Sequence, residues 1–203
     1  MLLLYMNFKK EVENMLIVEL GIKLNKDFEY YDKVLRKNGL INDFMVVTHD
    51  LYYTNKDLDG LTESEMKRSC IRLRSCNGDN YNIQNNLIND LNIKEVLNNK
   101  LNDFEKRLET FGYKKVFDTT KKDFHYHKAG MCNKIQLQQI ENIGLLVYYD
   151  NKEYYEFDSD TQRKMLIQEL NSYGFNLSYE VLGLDKLRTL YYKKEMYSKN
   201  QNG

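Results

Sequence analysis

The sequence predicts an α+β fold in which antiparallel strands close into a β-barrel with a charged interior, flanked by helices. Three observations carry this expectation. From Leu16 to Leu24 every second residue is apolar (Leu16, Val18, Leu20, Ile22, Leu24), while the other face reads Ile17, Glu19, Gly21, Lys23, which is the period of a strand. Ile71-Arg72-Leu73-Arg74 divides its faces in the same way. Between such runs lie segments of helical period that stop at glycine: Phe28, Tyr31, Val34 and Leu35 before Gly39, and Leu101, Phe104, Leu108 and Phe111 before Gly112. Strands that are apolar on one side and charged on the other suit a sheet covered outside by helices and polar inside, and closure also removes sheet edges.

Along the chain, residues 1–14 read as an N-terminal extension, because Met15 stands just before the first strand; MLLLYM is too short to span a bilayer, and with Lys9, Lys10, Glu11 and Glu13 following at once it does not read as a signal peptide. After the first strand and a helix over 27–38, the β-branched and aromatic run 44–53 predicts a second strand. The polar stretch 54–69 is expected to loop out. A strand at Cys70–Arg74, a turn at Asn77-Gly78 and a short strand at Tyr81–Gln84 then read as a hairpin. Within the Asn-rich 85–100 only Ile93–Leu97 resembles a strand. A helix over 101–111, a long strand over 113–128 and strands over 134–140 and 145–150, parted by Asn142 and Gly144, come next. Helices over 159–173 and 178–195 close the chain. No repeat or linker divides it, so 15–197 is expected to be a single domain with a tail at 198–203.

With 203 residues, 42% hydrophobic and 13% aromatic, the chain can bury one sizeable core and is not expected to be disordered. Thirty basic residues balance thirty acidic ones, so no global field draws it to duplex nucleic acid or an anionic membrane. Any affinity for phosphate must come from local placement. Cys70, Cys76 and Cys132 form no CxxC pair, which fits reduced thiols in a cytoplasmic protein, with Cys70 and Cys76 buried beside a strand. There is no phosphate-cradling glycine loop, no nucleophile turn and no zinc motif. His125 and His127 put two imidazoles on one strand face, a spacing that can bind metal, yet no third ligand is visible, and histidines at a rim or donating to phosphate are the alternative. The pairs Tyr148-Tyr149, Tyr154-Tyr155 and Tyr191-Tyr192 read as packing rather than base-stacking platforms.

Several short motifs follow one another in a telling order: Glu19-x-Gly21-x-Lys23, Asp50-x-Tyr52-Tyr53, Ile71-Arg72-Leu73-Arg74, Tyr81–Gln84, Leu108–Tyr113, Lys121-x-Asp123-x-x-Tyr126, Ile135–Gly144, Tyr148-x-Asp150, and Ser178-Tyr179 before Leu182. From about Ile17 to Leu182 this order resembles the CYTH superfamily, the triphosphate tunnel proteins that include class IV adenylyl cyclases, thiamine triphosphatases and inorganic triphosphatases. The resemblance implies a tunnel of about eight strands. It implies phosphate binding by Lys23, Arg72, Arg74 and Lys121, with His125, Tyr148, Gln84 and Gln138 as further tunnel-lining residues. The family's metal-binding acids are only partly matched. Gly21, Gln138 and Tyr148 stand at acid positions, Gln84 replaces a lysine and Asp123 an arginine, which leaves Glu19 and Asp150, with Asp123 in a rearranged set, as metal ligands.

The reading is therefore a tunnel protein that binds a phosphorylated small ligand (nucleotide, cyclic nucleotide or polyphosphate), with catalysis lost or weak and no cofactor required for binding. The alternative is a triphosphatase or class IV-type adenylyl cyclase dependent on Mg or Mn, with no assigned catalytic residue. A scaffold without a small ligand is a third. The oligomeric state stays open, a dimer included.

Overall fold

The computed structural model describes residues 20–85, 87–88, 93–130, 133–180 and 184–201. Residues 16–19 of the first expected strand, with Glu19 among them, lie outside the described residues, as do Cys132 and Leu182. The strands are β1 Leu20–Lys23, β2 Ile41–Thr54, β3 Ile71–Cys76, β4 Tyr81–Asn85, β5 Glu95–Val96, β6 Lys114–His127, β7 Ile135–Ile140 and β8 Gly144–Tyr149. The helices are α1 Phe28–Lys37, α2 Glu63–Ser69, α3 Leu101–Thr110, α4 Ser159–Ser172 and α5 Lys186–Gln201. The strands form one antiparallel eight-stranded sheet in the order β1-β8-β7-β6-β2-β3-β4-β5, so the fold class is α+β as expected. β1 and β5 end that order, and no pairing among the described residues joins them into the closed barrel that the sequence predicts.

Two elements differ from expectation. α2 occupies part of the stretch expected to loop out, because Thr62 and Glu65 form a capping box: Glu65 N–H donates to Thr62 Oγ1 at 3.3 Å, and Thr62 N–H to Glu65 Oε2 at 2.8 Å. Two orphan donors of the first turn are thus satisfied locally, enough to start a short helix with only one apolar anchor, the fully buried Met66. α5 starts at Lys186 rather than 178. Ser178 and Tyr179 lie before it, with Tyr179 exposed, so these two residues of the motif matched to the family's last helix are not helical here. No helix among the described residues is long and apolar enough to cross a membrane.

The chain divides into two compact units. The first comprises Met1–Phe44, His125–Leu137 and Leu146–Gly183. In it β1 pairs antiparallel with β8, Leu20 opposite Tyr149 and Ile22 opposite Val147, and these four side chains are buried. α1 starts at Asp27, whose carboxylate accepts from Tyr30 N–H at 2.9 Å, and ends with Arg36 and Lys37 in its last turn, charges that complement the helix dipole. Its buried stripe is Tyr31 and Leu35, and Tyr31 stacks on Phe175 at 5.0 Å.

The second unit comprises Met45–Phe124, Gln138–Leu145 and Leu184–Gly203. Its larger core joins Leu51, Tyr53, Ile71, Leu73 and Tyr81 from the sheet to Phe104 and Leu108 of α3. Each such aliphatic or aromatic side chain contributes about 1.5–3 kcal/mol when fully removed from water. A second cluster joins Tyr52, Leu58, Met66, Cys70 and Phe117 to Leu187 of α5. The β3–β4 hairpin turns through Asn77 and Gly78, both left-handed with φ of 53° and 84°, the conformation for which these two residue types are suited.

Candidate functional site

The site is built from the register of two strands in the second unit. Asp50 lies opposite Arg74 and Tyr52 opposite Arg72, while Leu51 meets Leu73 and Tyr53 meets Ile71. Alternate residues of a strand point to opposite faces, so the apolar set faces the α3 core and Asp50, Tyr52, Arg72 and Arg74 share the other face. Asp50 is only 3% exposed. It accepts from Arg72 Nη2 at 3.0 Å and from both Nε and Nη2 of Arg74 at 2.7 Å. Burying a carboxylate costs several kcal/mol unless it is paired and hydrogen-bonded, and the forked Arg74 bond with the third from Arg72 meets that need. The Arg72 guanidinium also lies 5.6 Å from the Tyr52 ring centroid. Burial first, and then the Asp50 charge, push the Tyr52 hydroxyl well above its ordinary pKa, so it is a neutral phenol.

Three further elements complete the cleft. β6 brings Thr119 and Lys121, and Lys121 Nζ is 2.9 Å from Asp123 Oδ2 on the same side of the strand. α2 brings Lys67 and Glu63, which are 3.2 Å apart. α5 brings Lys186, whose Nζ donates to Gln138 Oε1 at 3.4 Å. Glu63 does more than pair with Lys67, since its Oε2 accepts from the backbone N–H groups of Leu187 at 2.8 Å and Arg188 at 3.3 Å. A carboxylate from α2 thus caps the first turn of α5, satisfying donors that a helix leaves unpaired. The resulting cleft holds about 130 Å³ and is lined by five cationic side chains against two carboxylates. Within this group Arg72 Nε, Thr119 Oγ1 and Asp123 Oδ1 are buried with no protein partner among the described residues. A wider groove of about 360 Å³ runs along Phe117 and Leu190, but its two lysines are already engaged, Lys115 with Asp118 at 3.8 Å and Lys193 with the Asn142 carbonyl at 2.6 Å, and no arginine among the described residues lines it.

Of the residues singled out from sequence, Arg72, Arg74 and Lys121 converge on this cleft and Gln138 stands behind it through Lys186. Gln84 does not line it. Arg72 pairs with Asn85 and Leu73 with Ile83, so Gln84 is the extra residue of a β-bulge and is exposed. Asp123 turns to Lys121 and lies 5% exposed. Lys67, Lys186 and Glu63 were not singled out. They sit on helices, Glu63 and Lys67 on α2 just before β3 and Lys186 on α5 more than a hundred residues after it, and no strand alternation marks them; only the capping box formed by Thr62 and Glu65 signals that Glu63 lies in a first helical turn.

The remaining expected residues lie in the first unit. Lys23 is exposed at the end of β1. Asp150, at the end of β8, accepts a hydrogen bond from the Tyr155 hydroxyl. His125 stacks on Phe44 with centroids 4.4 Å apart, and His127 Nδ1 lies 2.6 Å from Asp43 Oδ1, so the imidazoles turn to different partners. Tyr148 lies directly opposite Gly21 in the β1–β8 register. A Cβ at position 21 would fall 2.7 Å from Tyr148 Cε1, inside the distance real Cβ atoms keep. Among the described residues no group of three His, Cys, Asp or Glu is placed to hold a metal ion.

No family model and no curated protein matches the chain. Solved structures do. The PH1012 protein of Pyrococcus horikoshii is 15% identical, the match covering 83% of this chain and 100% of that one at a TM-score of 0.49. A conserved hypothetical protein from Pyrococcus furiosus is also 15% identical, over 81% of this chain and 100% of that one, at a TM-score of 0.48. A protein of Vibrio parahaemolyticus named as a candidate adenylate cyclase is 15% identical over 77% of this chain and 87% of that one, at a TM-score of 0.44. Likeness at this level concerns the course of the chain alone.

Proposed function

We propose that the cleft binds the phosphate groups of a small molecule (a nucleotide, cyclic nucleotide or polyphosphate), and that the sheet closes around them as a tunnel of the CYTH type. The observation that carries this reading is the convergence of Lys67, Arg72, Arg74, Lys121 and Lys186 on one cleft whose two carboxylates are both already engaged. Asp50 holds the two guanidiniums side by side without cancelling both, and guanidinium forks match phosphate oxygens in pairs. Arg72 Nε and the Thr119 hydroxyl are buried and lack a protein partner among the described residues, and buried polar groups are seldom left so. Phosphate oxygens would supply their acceptors.

Catalysis in the CYTH enzymes that the motifs resemble requires a divalent ion held by carboxylates. The described residues fit such an ion poorly. Gly21 carries no acid and the Tyr148 ring takes the space a side chain there would need, Gln138 is a neutral amide bonded to an ammonium, and Asp123 is paired with Lys121. The chain is therefore read as a binding protein with turnover lost or weak.

Calorimetry with tripolyphosphate, ATP and cyclic AMP tests this. At least one should bind, and replacing both Arg72 and Arg74 by Ala should weaken it about a hundredfold, taking each lost charged hydrogen bond at about 1.5 kcal/mol. No heat with any of the three overturns the proposal. Release of phosphate or cyclic AMP from ATP in Mg or Mn would replace it with the enzymatic reading.

A further inference from the structure

We infer that Lys186 fills the charge-balancing place of a divalent cation in this cleft, so that the phosphorylated anion is bound without metal. The inference rests on the phosphate-binding reading above and adds to it a residue and an ion requirement.

A hard divalent cation needs oxygen ligands, and in proteins these are mostly carboxylates. The cleft has two, and neither is available. Asp50 already receives three guanidinium N–H groups. Glu63 already receives two backbone N–H groups and Lys67. Of the further side-chain oxygens at hand among the described residues, Oε1 of the buried Gln138 accepts from Lys186 Nζ and as a neutral amide would hold a metal weakly, Asp123 is tied to Lys121 through Oδ2 at 2.9 Å, and the hydroxyls of Thr119 and Tyr52 carry no charge. A metal ion would also enter against five cationic side chains, a like-charge arrangement that disfavours it, while an anion entering the same place is favoured.

Lys186 is held where that charge is wanted by two anchors that do not involve its own side chain. The next residue, Leu187, is 2% exposed in the core with Tyr52 and Phe117, and the backbone of the same turn is tied to Glu63. The ammonium therefore projects from a fixed helix start into a cleft shared with Arg72 and Arg74. Thr119, 6% exposed and with its hydroxyl unpartnered among the described residues, lines the same space. It is an independent sign that an acceptor belongs there.

The test is calorimetric titration of the full chain with sodium tripolyphosphate, once in EDTA and once in excess magnesium. Binding in EDTA should be as tight as in magnesium or tighter, since free Mg competes by complexing the anion. Lys186→Ala should weaken binding in EDTA about tenfold, the value of one charged hydrogen bond, and Lys186→Arg should keep it within about threefold. Thermal unfolding of each variant separates a lost contact from a lost fold. Binding that requires magnesium, or a folded Lys186→Ala variant that binds like the native chain, overturns the inference and leaves the phosphate reading standing. Failure of the native chain to bind tripolyphosphate in either buffer overturns the inference, and the phosphate reading falls with it if ATP and cyclic AMP also give no heat.

Discussion

The Tyr148 ring lies over the Cα of Gly21, its directly opposed strand partner, with Cε1 2.7 Å and Cζ 2.9 Å from the point where a Cβ at position 21 would stand. A missing side chain on β1 is answered by a large one on β8, and cross-strand pairs of this kind are the unit from which sheet stability is built. Gly21→Ala should therefore destabilise the chain by about 1–3 kcal/mol through overpacking. Adding Tyr148→Ala should recover part of that loss, with a coupling of about 1 kcal/mol. Urea unfolding of the two single variants and the double variant measures the coupling, and strict additivity would contradict the contact.

Asp50 positions Arg72 and Arg74 together, so its removal leaves two guanidiniums facing each other without a counter-charge. Asp50→Ala should cost about 2 kcal/mol, less than the loss at a fully buried pair because both guanidiniums keep some contact with water. In the Asp50→Ala background Arg74→Ala should cost less than it does in the native chain. Chemical denaturation of the four proteins reads both numbers, and an equal cost in the two backgrounds would mean that the clamp is not the source.

Asp32 accepts from Arg36 Nε at 2.8 and 2.9 Å and from the Tyr126 hydroxyl at 2.6 Å. Burial, the largest single influence, works to raise its pKa, but the bonds from Arg36 and Tyr126 and the Arg36 charge together outweigh it, so the carboxyl lies below its ordinary value. A group depressed in this way stabilises the fold above its unfolded pKa, about 3.9, and loses that contribution as pH falls through the lower folded value. Tyr126→Phe should lower stability at pH 7 by about 1 kcal/mol. The gap to the native chain should narrow only as pH drops below about 4. Denaturation curves between pH 7 and 3 check this, and a gap unchanged across that range would refute it.

Cys70 is fully buried in the cluster under α5, and burial pushes its thiol up to about 11. The thiolate is the reactive form, so iodoacetamide at pH 8 should leave Cys70 untouched in the native chain and modify it in urea. Cys76, half-buried, should react in both. Peptide mass spectrometry distinguishes the two sites, and native labelling of Cys70 would show that this cluster opens.

Much of the secondary structure is legible in the sequence because it is periodic. Alternation over Ile71–Arg74 placed both arginines on one face of a strand, and the stripe of Leu101, Phe104 and Leu108 marked the α3 core-facing side. α2 was missed because Glu63–Ser69 offers a single buried hydrophobe to a pattern search while its start depends on a hydrogen-bond box. Gln84 does not line the cleft because a bulge changes which residue of β4 faces it without changing the composition of the strand.

The sequence alone determined the α+β class, the antiparallel strands and the pairing of charge with alternation on β3, since these follow from local period and side-chain chemistry. The tertiary structure decided which charges meet. Asp50 joining Arg72 to Arg74, Glu63 capping α5 across more than a hundred residues, Lys186 resting on Gln138 and Tyr148 covering Gly21 depend on register and on the packing of helices against strands. Residues distant in sequence share no period, and only packing brings them within reach of one another.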